Sequence, residues 1–222
     1  MFNPSDIQII RSHRKTLALH VSPDGTVVVK APLFIFKRDI TRFIEQHRDW
    51  IEQRLITVAN HSKRREKKYQ HGEVYLYIGK SYTLDIGNYQ QIAVHEDTLR
   101  FPKALGFRIK KELETWYIRQ AKKVITQQVE WYAKEMYAEY VNISYSDTSS
   151  KWGSCTHDNR LQFNWRLIMA PILTIKYVVI HELVHTKEKN HSAAFWSKVR
   201  YMSPTYRHQR NWLKEHGGML VT

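Results

Sequence analysis

The stretch ILTIKYVVIHELVHTK, residues 172–187, decides how this sequence is interpreted. It follows Pro171, a residue that suits the start of a helix, and its apolar character predicts an apolar helix. Near its end stands His181-Glu182-Leu183-Val184-His185, an H-E-x-x-H pattern. Residues four apart lie about one turn apart on the same helix face, so we expect the two imidazoles to converge on one metal ion.

Glu182 and His191 complete the candidate site. Glu182 is one residue step from His181, which places its carboxylate beside the ion, where it can reach a metal-bound water. His191 follows His185 by six residues, and after a helix end and a turn at Asn190 it can supply a third ligand. Three protein ligands with one open position are the pattern of catalytic zinc sites. We therefore predict Zn²⁺ on His181, His185 and His191.

The charges in this site predict hydrolysis. Neutral imidazoles leave the zinc dipositive, so it lowers the pKa of its water from about 16 towards about 7. Glu182 then accepts a proton from that water and later returns it to the leaving group. The constellation does not by itself select an amide over a phosphoanhydride. The alternative interpretation is two surface histidines on an ordinary amphipathic helix. For His191 a further alternative is chance proximity, because the chain has 12 His and the third ligand of such a site can be distant in sequence.

Composition limits the class of protein. With 42% hydrophobic residues among 222, the chain can bury a core, which excludes wholesale disorder. The formal charge of +14 favours anionic partners or substrates. A lone cysteine, Cys155, excludes an internal disulfide and suggests a reducing compartment. The N-terminus does not have a signal-peptide pattern, and the apolar windows are too short to span a bilayer. We expect a soluble, cytoplasmic protein without a membrane partner.

The hydrophobic periodicity changes near Pro102. Strands are predicted at 16–21, 26–30, 73–78, 81–86, 91–94, 98–101, 141–145 and 161–167. Helices are predicted at 36–55, 105–137, 172–187, 192–202 and 205–216. We predict an α+β chain with a strand-rich N-terminal subdomain at 1–101, containing one amphipathic helix, and a catalytic domain at 102–222.

Four segments carry a family resemblance, and they are Lys151-Trp152-Gly153-Ser154-Cys155, Asn164-Trp165-Arg166-Leu167, His181-Glu182-Leu183-Val184-His185 and Asn190-His191-Ser192-Ala193-Ala194-Phe195-Trp196. In these segments the chain resembles the YgjP-like metal-dependent hydrolases, zincins similar to the SprT-like proteases. Weaker matches include Trp50-Ile51 and Gly79-Lys80. The resemblance implies a zincin-like metallopeptidase core with the HExxH helix packed on a small antiparallel sheet. It also implies zinc on His181, His185 and His191, with Glu182 catalytic. Metzincins place Gly where this chain has Glu188, so the turn must form differently here.

Three functions follow as hypotheses. The first is a zinc-dependent hydrolase, most simply a metallopeptidase acting on proteins or peptides. The second is a nucleoside triphosphate pyrophosphohydrolase, an activity attached to the family name and favoured by the +14 charge. The third is a nucleic-acid-associated SprT-like protease module with weak, non-specific phosphate binding. Five basic residues either form that surface or belong to a solvated loop: Lys63, Arg64, Arg65, Lys67 and Lys68. The sequence does not predict the oligomeric state.

Other residues near these motifs have simpler expected roles. Trp152 and Cys155 are expected to pack in the core, and Gly153 to allow close backbone approach near the site. Phe195 and Trp196 are expected to pack the helix after His191 against the core. Candidate donors to a transition-state oxyanion are Tyr201, Tyr206, Arg207 and His208.

Overall fold

The structure is a computed structural model that describes residues 7–22, 25–62, 67–148 and 150–220. It is a mixed α+β protein with small sheets. Its contacts divide the chain into two units, Met1–Lys67 and Lys68–Thr222. Residues 63–66 of the basic segment lie outside the described residues, so phosphate binding there stays a prediction.

The first unit is a three-stranded sheet with two helices. The strands are β1 (Gln8–Ser12), β2 (Ala18–Val21) and β3 (Val27–Pro32), in the order β1-β3-β2, and the helices are α1 (Lys37–Gln46) and α2 (Arg48–Ser62). β1 is parallel to β3, and β2 is antiparallel to it. Alternate residues of β3 are buried with apolar side chains of both helices: Val27, Val29, Ala31, Ile40, Ile44 and Ile51. Two helices replace the single one expected over 36–55, and the break falls at His47.

The second unit begins with a four-stranded sheet. Its strands are β4 (Val74–Tyr77), β5 (Lys80–Gly87), β6 (Ala93–His95) and β7 (Thr98–Pro102), in the order β4-β5-β7-β6. A 3-10 helix at Lys103–Arg108 then leads into α3, Ile109–Met136. The buried strand residues Tyr75, Leu84, Leu99 and Phe101 share one core with α3.

The position of the division between units differs from the expected one. The change from strands to helices places it at 101–102 in the sequence, whereas the contacts place it at 67–68. The reason is that the four-stranded sheet buries its apolar residues in the core that it shares with α3. The Tyr117 hydroxyl of α3 also donates to the Leu76 carbonyl of β4 at 2.8 Å.

A third sheet and three further helices complete the second unit. The strands are β8 (Asn142–Ser146), β9 (Gly153–Cys155) and β10 (Arg160–Asn164), and the helices are α4 (Ile172–Val184), α5 (Ala193–Met202) and α6 (Tyr206–His216). The strand order is β8-β10-β9. The expected antiparallel sheet is in fact mixed, because β8 runs parallel to β10 while β9 runs antiparallel to it. The strand expected over 161–167 ends at Asn164, whose side chain accepts from the Arg166 N–H at 2.9 Å and caps a 3-10 helix, Trp165–Met169.

Helix α4 lies at the centre of this unit. It contacts β9, α3, α5 and α6, and most of its residues are buried. Pro171 precedes it, as expected from the sequence, but the helix ends at Val184 and a turn follows. Its final turn is therefore held on several sides. Among the described residues, no helix combines the length and apolar character needed to cross a bilayer.

Candidate metal centre

The three histidines that the sequence singled out meet at the end of α4. The Nε2 atoms of His181 and His191 are 3.1 Å apart, and those of His185 and His191 are 3.2 Å apart. One ring nitrogen from each residue lies within 4.8 Å of the others. In the described part of the chain, no other group of three His, Cys, Asp or Glu side chains is placed to hold an ion.

The turn after α4 fixes the tautomer of His185. Its Nδ1 lies 2.9 Å from the Glu188 carbonyl oxygen. A carbonyl only accepts, so Nδ1 carries the proton and Nε2 keeps a lone pair that faces the other imidazoles. Glu188 stands where metzincins have glycine, and the turn forms because its N–H donates to the Val184 carbonyl at 2.9 Å. The Glu188 carboxylate pairs with Lys198 of α5 at 2.6 Å.

Aromatic side chains of α5 contact the three imidazoles and orient them. The Ser192 hydroxyl accepts from the Phe195 N–H at 3.2 Å and caps α5, so the chain reverses directly after His191. Phe195 is fully buried, and its ring centroid lies 4.9, 4.5 and 4.7 Å from those of His181, His185 and His191. Trp196 stacks on His191 at 5.5 Å. The expected packing role of Phe195 and Trp196 is confirmed.

Burial keeps the α4 histidines neutral. It lowers the pKa of His181 to about 3, and the neighbouring imidazoles add to the effect. It also lowers the pKa of His185, against the hydrogen bond to Glu188. Both rings are therefore in the form that binds a metal. The Nδ1 of His181 is buried without a hydrogen-bond partner among the described residues.

The donor set fits zinc. Tetrahedral zinc holds imidazole nitrogens at about 2.0–2.1 Å, which separates two such nitrogens by about 3.4 Å. The Nε2 separations of 3.1 and 3.2 Å are close to that value. Unprotonated nitrogens at this distance repel one another unless a proton or a cation lies between them. Imidazoles are also ligands that zinc favours.

Glu182, the residue after His181, has its side chain in close contact with a glycine. Its side chain is buried, with the residue 5% exposed, and it packs on Gly153 of β9 so closely that a Cβ at Gly153 would lie 2.7 Å from Glu182 Cγ and Oε1. The expected close approach at Gly153 is confirmed. Burial raises the pKa of Glu182 to about 8, and the nearby Lys151 ammonium works in the opposite direction.

The strand that carries Gly153 is short and lies at the edge of its sheet. β9 pairs with β10, and the sheet order leaves its other side at the edge. Lys151 precedes it and donates to the Ser154 hydroxyl at 3.0 Å. Trp152 and Cys155 are partly buried against the core, as expected. Burial raises the pKa of the Cys155 thiol, which disfavours the nucleophilic thiolate.

The candidate oxyanion donors are placed differently from one another. Tyr201 is 85% exposed and lines a separate cavity of about 450 Å³ bounded by α4, α5 and the end of α3. Tyr206 is buried and stacks on Trp196 at 5.4 Å. Arg207 donates through Nε to the Tyr206 hydroxyl at 3.4 Å. His208 is exposed.

Sequence reasoning overlooked two basic residues near the site. Lys151 acts on the pKa of Glu182, and Arg210 lies over the Trp196 ring with Cζ 5.2 Å from its centroid. Arg210 follows Tyr206 by one helical turn, so the two lie on the same helix face, but the periodicity of 205–216 does not show what that face contacts. Lys151 begins the quoted Lys-Trp-Gly-Ser-Cys segment.

Comparison with known proteins gives one extended match. No protein with a curated description matches the chain. The crystal structure of the metallopeptidase zymogen of Pyrococcus abyssi abylysin is 18% identical, covers 44% of this chain and 90% of that chain, and superposes with a TM-score of 0.32, too low to bear on this protein. The profile described as YgjP-like, metallopeptidase domain, matches residues 15–216. This match spans most of the 222 residues, and the chain belongs to the YgjP-like metallopeptidase family.

Proposed function

We propose that the chain is a zinc-dependent metallopeptidase with a zincin-like core, in which His181, His185 and His191 hold the metal and Glu182 is the catalytic base. The observation that carries this proposal is the convergence of three imidazoles at the end of α4, where the residue after His181 is the buried Glu182. Family membership supports hydrolysis of peptide bonds. The mixed sheet β8-β10-β9 and helix α4 would form the core.

His181 and His185 are prepared for a metal by their protonation states. His181 and His185 are neutral at physiological pH, and the hydrogen bond from His185 Nδ1 to Glu188 directs its Nε2 lone pair into the cluster. When bound, zinc would supply Lewis acidity that polarises the scissile carbonyl and acidifies the attacking water.

Glu182 is suited to moving a proton. Its carboxylate would take the proton from the attacking water and return it to the leaving amine. A pKa near 8 leaves it poised around neutrality, and a nearby dication and Lys151 both favour the ionised, basic form. Contact with Gly153 limits the positions that the carboxylate can adopt.

The edge of β9 favours a peptide substrate. An edge strand can pair with an extended chain through main-chain hydrogen bonds. Gly153 of β9 touches Glu182, so a peptide paired along β9 would bring its amide bonds next to the carboxylate. A nucleotide has no main chain to use this edge.

Nucleoside triphosphate pyrophosphohydrolysis is the second candidate. It is favoured by basic side chains near the histidines, including Arg210, and by the charge of +14. The nucleic-acid-associated module has no comparable support among the described residues and stays a prediction.

The substrate class can be tested with one panel. Zinc-loaded protein is incubated with an unfolded protein pool and with nucleoside triphosphates, each with and without DNA, and products are identified by mass spectrometry. We expect peptide fragments from wild type, a decrease of about 10²–10⁴-fold in Glu182→Gln, and intact nucleotides. Cleavage of nucleotides without cleavage of peptides would replace the proposal with the second candidate.

A further inference from the structure

The segment after the histidine turn carries an excess of positive charge. Between Glu188 and Glu215 the sequence contains no acidic residue, while it contains six basic ones: Lys189, Lys198, Arg200, Arg207, Arg210 and Lys214. Arg200 of α5 and Arg207 and Arg210 of α6 are exposed, and they form what we call the arginine cluster. The cluster lies around Tyr206 and Trp196.

An aromatic stack connects the arginine cluster to a candidate metal ligand. Trp196 stacks on His191 with 22° between the rings, and Tyr206 stacks on Trp196 with 23° between them. Arg210 lies over the same Trp196 ring at 5.2 Å. Arg207 donates to the Tyr206 hydroxyl at 3.4 Å. The guanidinium groups of Arg207 and Arg210 thus contact the stacked side chains of Tyr206 and Trp196, and Trp196 in turn stacks on His191.

The arginine cluster lies close to the candidate metal centre. Arg210 Cζ is 5.2 Å from the centroid of the Trp196 ring, and that centroid is 5.5 Å from the centroid of His191 and 5.9 Å from that of His181. The hydrogen bond from Arg207, together with Arg200, lowers the pKa of Tyr206. Arg210 is therefore near enough to act on a group bound at the candidate metal centre.

Among the described residues, no acidic side chain forms an ion pair with any arginine of the cluster. Like charges placed together repel, and this repulsion is relieved by binding an anion. A guanidinium offers two parallel donors that match the two oxygens of a carboxylate. In a peptidase, the anionic groups of the substrate are carboxylates.

We infer that the arginine cluster binds a carboxylate of the peptide substrate, with Arg210 as the specificity-determining residue. The inference rests on the proposed function for the nature of its ligand. The carboxylate is either the C-terminal group or an acidic side chain. Pairing along β9 would hold the main chain on the Glu182 side, while the cluster holds the carboxylate on the His191 side.

The test measures binding separately from turnover. Zinc-loaded protein carrying Glu182→Gln is titrated with peptides that differ only in charge: one with an acidic side chain and a free C-terminus, one with Gln in place of the acid, one amidated, and one with Lys in place of the acid. We expect the first to bind at least about 10-fold more tightly than the peptide that lacks the recognised carboxylate. The analogue that loses affinity identifies that carboxylate.

Charge exchange at Arg210 separates recognition from a structural role. We expect Arg210→Gln to remove the preference for the recognised carboxylate, and Arg210→Glu to favour the lysine peptide. Lys123→Gln, at an exposed position of α3, removes the same charge and should retain the preference. Arg207→Gln replaces the Arg210 variants if these lose zinc or helical content, and it should weaken the preference.

Two results would overturn the inference: binding by the parent protein that neither the Gln replacement nor the C-terminal amidation weakens, or equal loss of preference in Lys123→Gln and the arginine variants. The proposed function is judged separately, by cleavage with wild-type protein. Charge-selective binding without any cleavage would rule out the proposed peptidase function and would still support the carboxylate-binding site.

Discussion

Among the single residues, Glu182 bears on both the proposed catalysis and the stability of the fold, because its carboxyl is buried. Its pKa of about 8 compares with an ordinary value of 4.5. At a pH between 4.5 and about 8, the folded protein keeps a proton on Glu182 that the unfolded chain releases. Stability therefore falls as the pH rises through this range, by up to about 1.4 kcal/mol for each unit.

The metal-free protein should show this dependence directly. After zinc is removed with a chelator, we expect Glu182→Gln to be more stable than wild type at pH 8.5 and equal to it near pH 4.5. Denaturant unfolding at the two pH values measures the difference. Glu114→Gln, at an exposed position of α3, serves as the control and should show no such pH-dependent gain. A constant difference across the range would contradict the buried, protonated carboxyl.

The residues that bear the proposed chemistry could be read from local spacing. His181, Glu182 and His185 share one helical turn, and His191 follows within reach, so sequence periodicity was sufficient to bring them together. Lys151 and Arg210 lie near the candidate site because β9 and α6 pack against α4. Such contacts between distant segments leave no periodic signal in the sequence.

Among the contacts between secondary-structure elements, the one between β9 and α4 sets the position of the Glu182 carboxylate. An alanine at Gly153 would place its Cβ 2.7 Å from Glu182 Cγ, so the side chain must move. We expect Gly153→Ala to bind zinc but to lose activity on the order of 10²-fold, as expected for a displacement of about 1 Å. Peptide cleavage and zinc content are measured together. Gly106→Ala has open space around its new methyl group and should match wild type in activity and zinc content. Equal activity in the two variants would exclude the tight contact between Gly153 and Glu182.

The turn between β4 and β5 supports the start of α4. Gly79 has φ of +74°, its N–H donates to the Met169 carbonyl at 3.1 Å, and a Cβ there would lie 2.7 Å from Pro171 Cα. Gly72 has φ of +85° with open space around it. We expect Gly72→Ala to cost about 1–2 kcal/mol of unfolding free energy from backbone strain alone, and Gly79→Ala to cost clearly more. Denaturant midpoints compare the two, and equal losses would mean that the contact with Pro171 is unimportant.

The elements differ in how well the sequence predicted them. Long periodic segments such as α3 and α4 were anticipated, although their ends differ by a few residues. β1 was missed because all five of its residues are exposed and it has no alternation, and β9 because three residues carry no period. Trp165 and Leu167 continue an alternating pattern but belong to a 3-10 helix, because Asn164 caps it.

The division of the whole molecule decides which fragment can hold the site. The core of α3 includes Tyr75, Leu84, Leu99 and Phe101 from the strands before residue 102. We expect a fragment of residues 68–222 to fold and bind zinc, and one of residues 102–222 to aggregate. Circular dichroism and zinc content of the two fragments test this expectation. A folded 102–222 fragment with bound zinc would show that the four-stranded sheet is dispensable.

In the proposed function, His181, His185 and His191 together hold the metal ion on which hydrolysis depends. Metal analysis of the purified, zinc-equilibrated protein tests it most directly, with wild type beside His185→Ala and with His157→Ala as a control at an exposed histidine outside the cluster. We expect close to one zinc per chain in wild type and in His157→Ala, and most of the zinc lost from His185→Ala. Full zinc retention in His185→Ala would show that these three histidines are not the metal ligands.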